Sequence, residues 1–159
     1  MPRNRLDDED VDLVVDLARA TIVQVAPAEM PVFEATATAY RADPRARRTP
    51  RAGDMLGFGA DQVAAMAPVV LPIAAAALDG VLAELGSSMA ERSKAKARDV
   101  VRRLLRRDGT PEIPPLSREQ LSRVRRTAYE KAVSLQLPAE TGALLADAVA
   151  GALALGDGG

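Results

Sequence analysis

The chain has 159 residues, of which 48% are hydrophobic and 27% are charged, and its formal net charge is −1. This composition argues against overall disorder and fits about one globular domain with a real core. The sequence has no cysteine and no histidine, which excludes disulfide frameworks, thiolate metal sites and the usual serine–histidine or cysteine–histidine nucleophiles. We therefore expect a protein without catalysis, cofactor or metal.

Two helices are predicted in the first part of the chain. Four consecutive acids at positions 7–10 lie where a helix N-terminus favours negative charge, and apolar residues then recur at helical spacing until Pro27 ends the helix. A second, shorter helix is predicted over residues 31–42, because proline suits its first position and its aromatic residues share a face. The predicted core residues of this second helix are Phe33, Ala37 and Tyr40.

Two polar features of this region have a functional and a simpler interpretation. Asp12 and Asp16 lie one helical turn apart and could share a metal ion. Oxygen-only metal sites need more converging ligands, so we interpret the pair as a solvated face. Residues 45–53 form a basic loop, which we interpret as a solvated connection, with phosphate or membrane-surface contact as the alternative.

The central stretch, residues 61–85, contains 17 uncharged residues between Asp61 and Asp79. One interpretation is a helix buried on all sides by amphipathic neighbours. The other is a segment that enters a membrane, for which about 18–20 apolar residues are needed. We favour the buried helix, because seven of the 17 residues are alanine and Pro68 and Pro72 each remove a backbone donor.

Parts of the sequence resemble stretches of small uncharacterised helical proteins of high-GC bacteria. The residues that carry the resemblance are EMPVFE at 29–34, the Asp43-Pro44 pair, LGFG at 56–59, and residues 116–155. The resemblance implies a helical fold over most of the chain. It carries no activity, so it implies no functional residue.

A strongly basic helix is predicted after the central stretch. We predict that the apolar helix ends near Gly86 and that Ser88 and Glu91 form a capping box for the next helix. An apolar stripe that includes Val101 and Leu104 should face the core. Arginine and lysine cover the remaining surface up to the stop at residues 108–109.

Two further helices are predicted after a proline-rich linker at residues 110–116. Ser117 and Gln120 form a capping box for the fifth helix, and Pro138 begins the sixth, which continues to Leu155. The fifth helix should bury an apolar face that consists of Leu121, Val124, Ala128, Ala132 and Leu135.

Charge is distributed unevenly along the chain. Residues 53–90 carry a net charge of −4, residues 91–131 carry +7, and residues 132–159 carry −3. Such segregation attracts a partner of opposite charge. The candidate partner-binding or phosphate-binding residues are Arg98, Arg102, Arg103, Arg106, Arg107, Arg123 and Arg126.

The sequence thus predicts an all-α protein, a compact bundle of about six helices around the central apolar helix, in one domain of residues 1–159. We expect a cytoplasmic, non-catalytic interaction or assembly protein that docks an acidic or helical partner or associates with itself. The alternative is a membrane-inserting or membrane-surface protein that uses residues 61–85 and the basic residues 91–107. A third possibility is a non-specific nucleic-acid binder. The sixth helix has no arginine, lysine, asparagine or glutamine to read bases, so we do not expect sequence-specific nucleic-acid recognition.

Overall fold

A computed structural model of the chain describes residues 8–43, 66–88, 93–106 and 116–154. These ranges form six α-helices and no strand, packed together by many long-range contacts, which confirms the predicted compact all-α class. A short 3-10 turn, Pro27–Glu29, joins the first two helices. The helices are α1 (Asp8–Val25), α2 (Met30–Ala42), α3 (Ala67–Ser88), α4 (Ser93–Arg106), α5 (Arg118–Ser134) and α6 (Ala139–Leu153).

The apolar helix α3 lies at the centre of the bundle and contacts all five other helices. Val70, Ile73 and Leu78 are almost completely buried, as a core helix requires. The expectation that the helix is buried on all sides is nevertheless wrong, because Asp79 is exposed and Pro72 is only half-buried. Five neighbours still leave one strip of α3 open to solvent, and that strip carries Asp79.

Helix α1 is enclosed more fully than its amphipathic pattern predicts. The expected apolar face from Val11 to Ile22 is buried, but Leu13, Leu17 and Thr21 on the adjoining face are buried as well. The Thr21 hydroxyl donates a hydrogen bond to the Leu17 carbonyl at 2.9 Å, which satisfies its buried donor. The wide buried surface follows from the position of α1, which contacts α2, α3, α4 and α6.

The N-terminus of α3 is capped by a residue from a distant part of the chain. Glu29 accepts hydrogen bonds from the backbone N–H groups of Met66 and Ala67, both at 2.9 Å. Pro68 has no N–H, and the N–H of Val69 bonds to the Met66 carbonyl at 3.1 Å. All donors of the first turn are therefore satisfied, and the carboxylate lies at the positive end of the helix dipole.

The pair α5 and α6 forms the most extensive helix–helix contact in the bundle. The predicted capping box is confirmed: the Gln120 N–H donates to the Ser117 hydroxyl at 3.0 Å, and the Ser117 N–H donates to the Gln120 side chain at 2.8 Å. A Cβ atom at Gly142 would lie 3.1 Å from the Ala132 Cβ, so the helices approach closely at this glycine. Both helices also pack on α3, and α6 packs on α1, so the C-terminal pair shares one core with the rest of the described chain.

The turn between α5 and α6 closes as a Schellman motif. The N–H of Leu137 bonds to the Ala132 carbonyl at 3.1 Å, and the N–H of Gln136 bonds to the Val133 carbonyl at 2.8 Å. Gln136 has a φ of 66°, in the left-handed region that favours glycine. The turn therefore holds one non-glycine residue at a conformational cost.

One further sequence prediction needs correction, and three predicted segments lie wholly or mostly outside the described ranges. The capping box at Ser88 is wrong, because Ser88 is the last residue of α3 and α4 begins at Ser93. A helical serine cannot cap the next helix, since an N-cap residue needs non-helical backbone angles. The basic loop, the LGFG segment and most of the proline-rich linker lie outside the described residues.

Candidate docking surface

Helix α4 attaches to the bundle through a narrow apolar face. Val101 is completely buried and Leu104 is 3% exposed, while Val100 and Leu105 are half-buried. The helix packs mainly on α3 and α1. The two deeply buried side chains fix the rotation of α4 about its axis and thereby decide which of its arginines face solvent.

Arg98 faces the interior of the bundle rather than solvent. Its Nε donates to Oδ1 of Asp10 at 2.6 Å, and its terminal nitrogen lies 3.3 Å from Oδ2. The side chains of Arg98 and Asp10 are only 13% and 11% exposed. Arg98 was one of the predicted partner-binding arginines, but it joins α4 to the first turn of α1. The contact has the two-bond geometry that guanidinium and carboxylate groups favour.

Arg102 and Arg103 lie outside the buried apolar face of α4 and are more accessible to solvent than Arg98. Their side chains are 36% and 44% exposed. Both approach one carboxylate, that of Asp99, at 3.9 Å and 3.2 Å respectively. Two cations with one nearby anion leave this surface positively charged, and we call these two arginines the α4 basic pair. Arg106 ends the helix, and Arg107 lies outside the described residues.

The arginines of α5 form a separate group. Arg123 donates to Glu84 of α3 at 2.7 Å, and Arg125 bonds to Asp147 of α6. Arg126 is exposed. Helices α4 and α5 both pack on α3 but make little contact with each other within the described ranges, so these arginines do not extend the α4 basic pair.

The acidic residues considered as metal ligands each bond to an arginine. Arg41 donates to Asp12 at 3.2 Å, and Arg19 lies 3.5 Å from Asp16. No group of three or more acidic residues suited to a metal ion occurs in the described part of the chain. Asp12 thus forms an exposed ion pair with α2, and Asp16 forms one within α1.

A two-bond ion pair joins α1 to α2. Arg19 donates to both carboxylate oxygens of Glu34 at 2.9 Å and lies 5.7 Å from the centre of the Phe33 ring. The hydrogen bond from Arg19 lowers the pKa of Glu34 below its ordinary value, and the hydrogen bond to Glu34 raises the pKa of Arg19. The arginine thus covers the buried ring with its cationic face and secures α2 at the same time.

Two structural residues were missed by the sequence analysis. Glu29 was assigned no role, and its acceptor function depends on a helix that begins 37 residues later. Asp10 was assigned only to a helix N-terminus, and its partner lies 88 residues away. The one local signal for the cap is Pro68, since a proline in the first turn commonly marks a helix start.

The central helix also meets the length and composition criteria for a membrane span. Among the described residues one stretch, Ala67–Leu85, is long and apolar enough, and 56% of it is buried within the bundle. The core helix of a water-soluble protein satisfies the same criteria. Comparison with protein-family models, with curated proteins and with solved structures gave no match to this chain.

Proposed function

We propose that the chain is a non-catalytic helical protein that docks an acidic protein partner on the outer face of α4. The observation that carries this proposal is the α4 basic pair, in which the Arg102 and Arg103 side chains are 36% and 44% exposed and share one carboxylate. The helix as a whole has six basic residues and one acidic residue. Exposed cations of this kind guide a partner of opposite charge and fix its orientation.

The attachment of α4 supports a docking role for its outer face. Its inner face is held by Val101, Leu104 and the ion pair of Arg98 with Asp10. A helix fixed at its inner face presents its outer cations at defined positions. Binding then costs less conformational entropy than it would for the same arginines on a flexible segment.

A direct test compares two double substitutions that remove the same charge. Arg102→Gln with Arg103→Gln alters the α4 basic pair, and Arg118→Gln with Arg126→Gln is the matched control on the exposed side of α5. The probe is a fluorescent poly-glutamate peptide, measured by anisotropy at several salt concentrations. We expect a loss of roughly 3- to 30-fold in affinity for the α4 variant, from two exposed contacts of up to about 1 kcal/mol each. The control should bind like the parent, and an equal loss in both variants would contradict the proposal.

Membrane insertion is the second candidate, because Ala67–Leu85 satisfies the length criterion. Against it, α3 contacts every other helix, so insertion would require the bundle to open. Ile73 is completely buried, and Ile73→Asp would place an unpaired charge in the core and unfold the protein in buffer. An Ile73→Asp variant that melts like the parent but no longer floats with anionic liposomes would favour insertion instead. We also propose a cytoplasmic location, because α3 is packed against the other described helices.

A further inference from the structure

The outer face of α2 is exposed and carries no charge. The helix buries Phe33, Ala37 and Tyr40, and its opposite face is directed to solvent. The exposed face consists of Pro31, Val32, Ala35, Thr38, Ala39 and Ala42, and we call it the α2 outer face. A surface helix ordinarily places charged residues on the side opposite its core. Val32, with 54% of its surface exposed, is one of the most exposed large apolar residues in the described chain.

The charged residues of α2 are held at one edge of this face. Glu34 is bound by Arg19 of α1, with both bonds at 2.9 Å, and Arg41 donates to Asp12 at 3.2 Å. Both partners belong to the same neighbouring helix, so anion and cation lie along the α1 side of α2. The hydroxyl of Thr38 donates to the backbone carbonyl of Glu34 at 3.0 Å, so its donor is used within the helix. The α2 outer face therefore offers mainly small apolar side chains.

We propose that the α2 outer face binds the same face of a second copy of this chain, with the two α2 helices antiparallel about a two-fold axis. Charge complementarity along the edge of the face supports this arrangement. Glu34 and Arg41 are seven residues apart, which is about 10 Å along a helix. In an antiparallel pair, Glu34 of each copy lies beside Arg41 of the other copy. In a parallel two-fold arrangement the charged edges of the two copies would lie on opposite sides of the contact and could not pair.

The chemistry of the face also selects a copy of itself over a charged partner. A charged partner surface would lose hydration on this uncharged face without gaining an ion pair. The alanines at positions 35, 39 and 42 permit a close approach of two helix backbones, as small residues do at helix contacts. A surface complementary to itself is what a two-fold dimer requires.

The size of the face sets the strength of the association. Helix α2 has 13 residues, so the contact is about 20 Å long and lies at the small end of protein–protein interfaces. The association should therefore be weak and depend on concentration. Sedimentation equilibrium between about 10 and 500 µM covers the range in which such a dimer forms.

The first experiment replaces an exposed residue in the centre of the face. Ala35→Arg introduces like charges across the two-fold axis and should leave a monomer at every concentration, with unchanged helicity. Ser122→Arg, on the exposed side of α5, is the matched control and should associate like the parent. A parent that stays monomeric up to about 500 µM, or a dimer that persists in Ala35→Arg, overturns the proposal. Binding of the parent to neutral vesicles that is lost in Ala35→Arg would assign the face to lipid and also overturn it.

The second experiment tests the direction of the helices. The chain has no cysteine, so single cysteines can be introduced without background. Pairing of Glu34 with Arg41 centres the two-fold axis between positions 37 and 38. Thr38→Cys then lies close to its own copy, whereas two Val32→Cys residues lie about 16 Å apart along the axis, beyond disulfide reach. Under mild oxidation Thr38→Cys should cross-link rapidly and Val32→Cys should not. Rapid cross-linking of Val32→Cys would show a parallel or different arrangement and overturn the proposal.

Discussion

Removal of the charge on Asp10 tests how α4 is held to the bundle. In Asp10→Asn, the guanidinium of Arg98 keeps its position but loses its charged contact with this carboxylate. Both side chains are only about one-tenth exposed, so solvent screens the pair weakly. Breaking a buried ion pair from one side costs about 3–5 kcal/mol. For a chain of this length, that loss lowers the melting temperature by roughly 6–20 °C.

The reverse substitution should cost less, and this difference follows from the position of Asp10. Arg98→Met leaves the carboxylate in the first turn of α1, where the helix dipole stabilises an anion by about 0.3–1 kcal/mol. The double variant, Asp10→Asn with Arg98→Met, removes both members of this ion pair. It should therefore lose less stability than the sum of the two single variants, which is the mark of a direct interaction.

The assay is urea unfolding followed by circular dichroism at 222 nm, with the slope compared between variants. Arg103→Met is the matched control, because Arg103 is 44% exposed in its ion pair with Asp99 and should change stability by no more than about 0.5 kcal/mol. Hydrogen exchange should also quicken first at Val101 and Leu104 in Asp10→Asn, because these residues anchor α4. An Asp10→Asn variant as stable as the control, or strictly additive single and double variants, would show that the Asp10–Arg98 contact does not hold α4 to the bundle.

Three further outcomes are expected. Glu29→Ala should destabilise the fold by about 1–2 kcal/mol in urea unfolding, because the first turn of α3 loses its cap, whereas Glu29→Asp tests whether the reach of the longer side chain is needed. Gln136→Gly should stabilise the protein by about 1 kcal/mol and Gln136→Ala should not, because φ is 66° at this residue, and equal melting temperatures would contradict the idea of strain there. By NMR titration, the pKa of Glu34 should lie below its ordinary value, and it should return toward that value in Arg19→Gln. The pKa of Glu34 is lower in the folded state than in the unfolded state. The contact with Arg19 therefore stabilises the fold fully above the unfolded-state pKa, and this stabilisation is lost as the pH falls through the folded-state pKa.

Local signals in the sequence were enough to place the helices. Proline at positions 27, 31 and 138, the capping box of Ser117 with Gln120, and the apolar spacing of α2 all act within a few residues. These signals depend on backbone geometry and side chains one turn apart, so they can be read without knowledge of the fold. The same applies to the central position of the apolar helix, because no other segment has so few charges.

The candidate docking surface could be predicted only in part. The sequence located the basic segment but could not separate Arg98, which is enclosed with Asp10, from Arg102 and Arg103, which are more accessible to solvent. That separation depends on the rotation of α4 against α1 and α3. The rotation is set by which apolar side chains find room in the core.

Long-range polar partners were decided by the tertiary structure alone. Glu29 caps a helix 37 residues away, and Asp10 pairs with an arginine 88 residues away. Neither spacing corresponds to a helical or strand period, so these contacts cannot be predicted from periodicity in the sequence. Buried charges and helix ends need polar partners, and this need can be predicted from the sequence. Which residue meets it depends on which helices the packing of the core brings side by side.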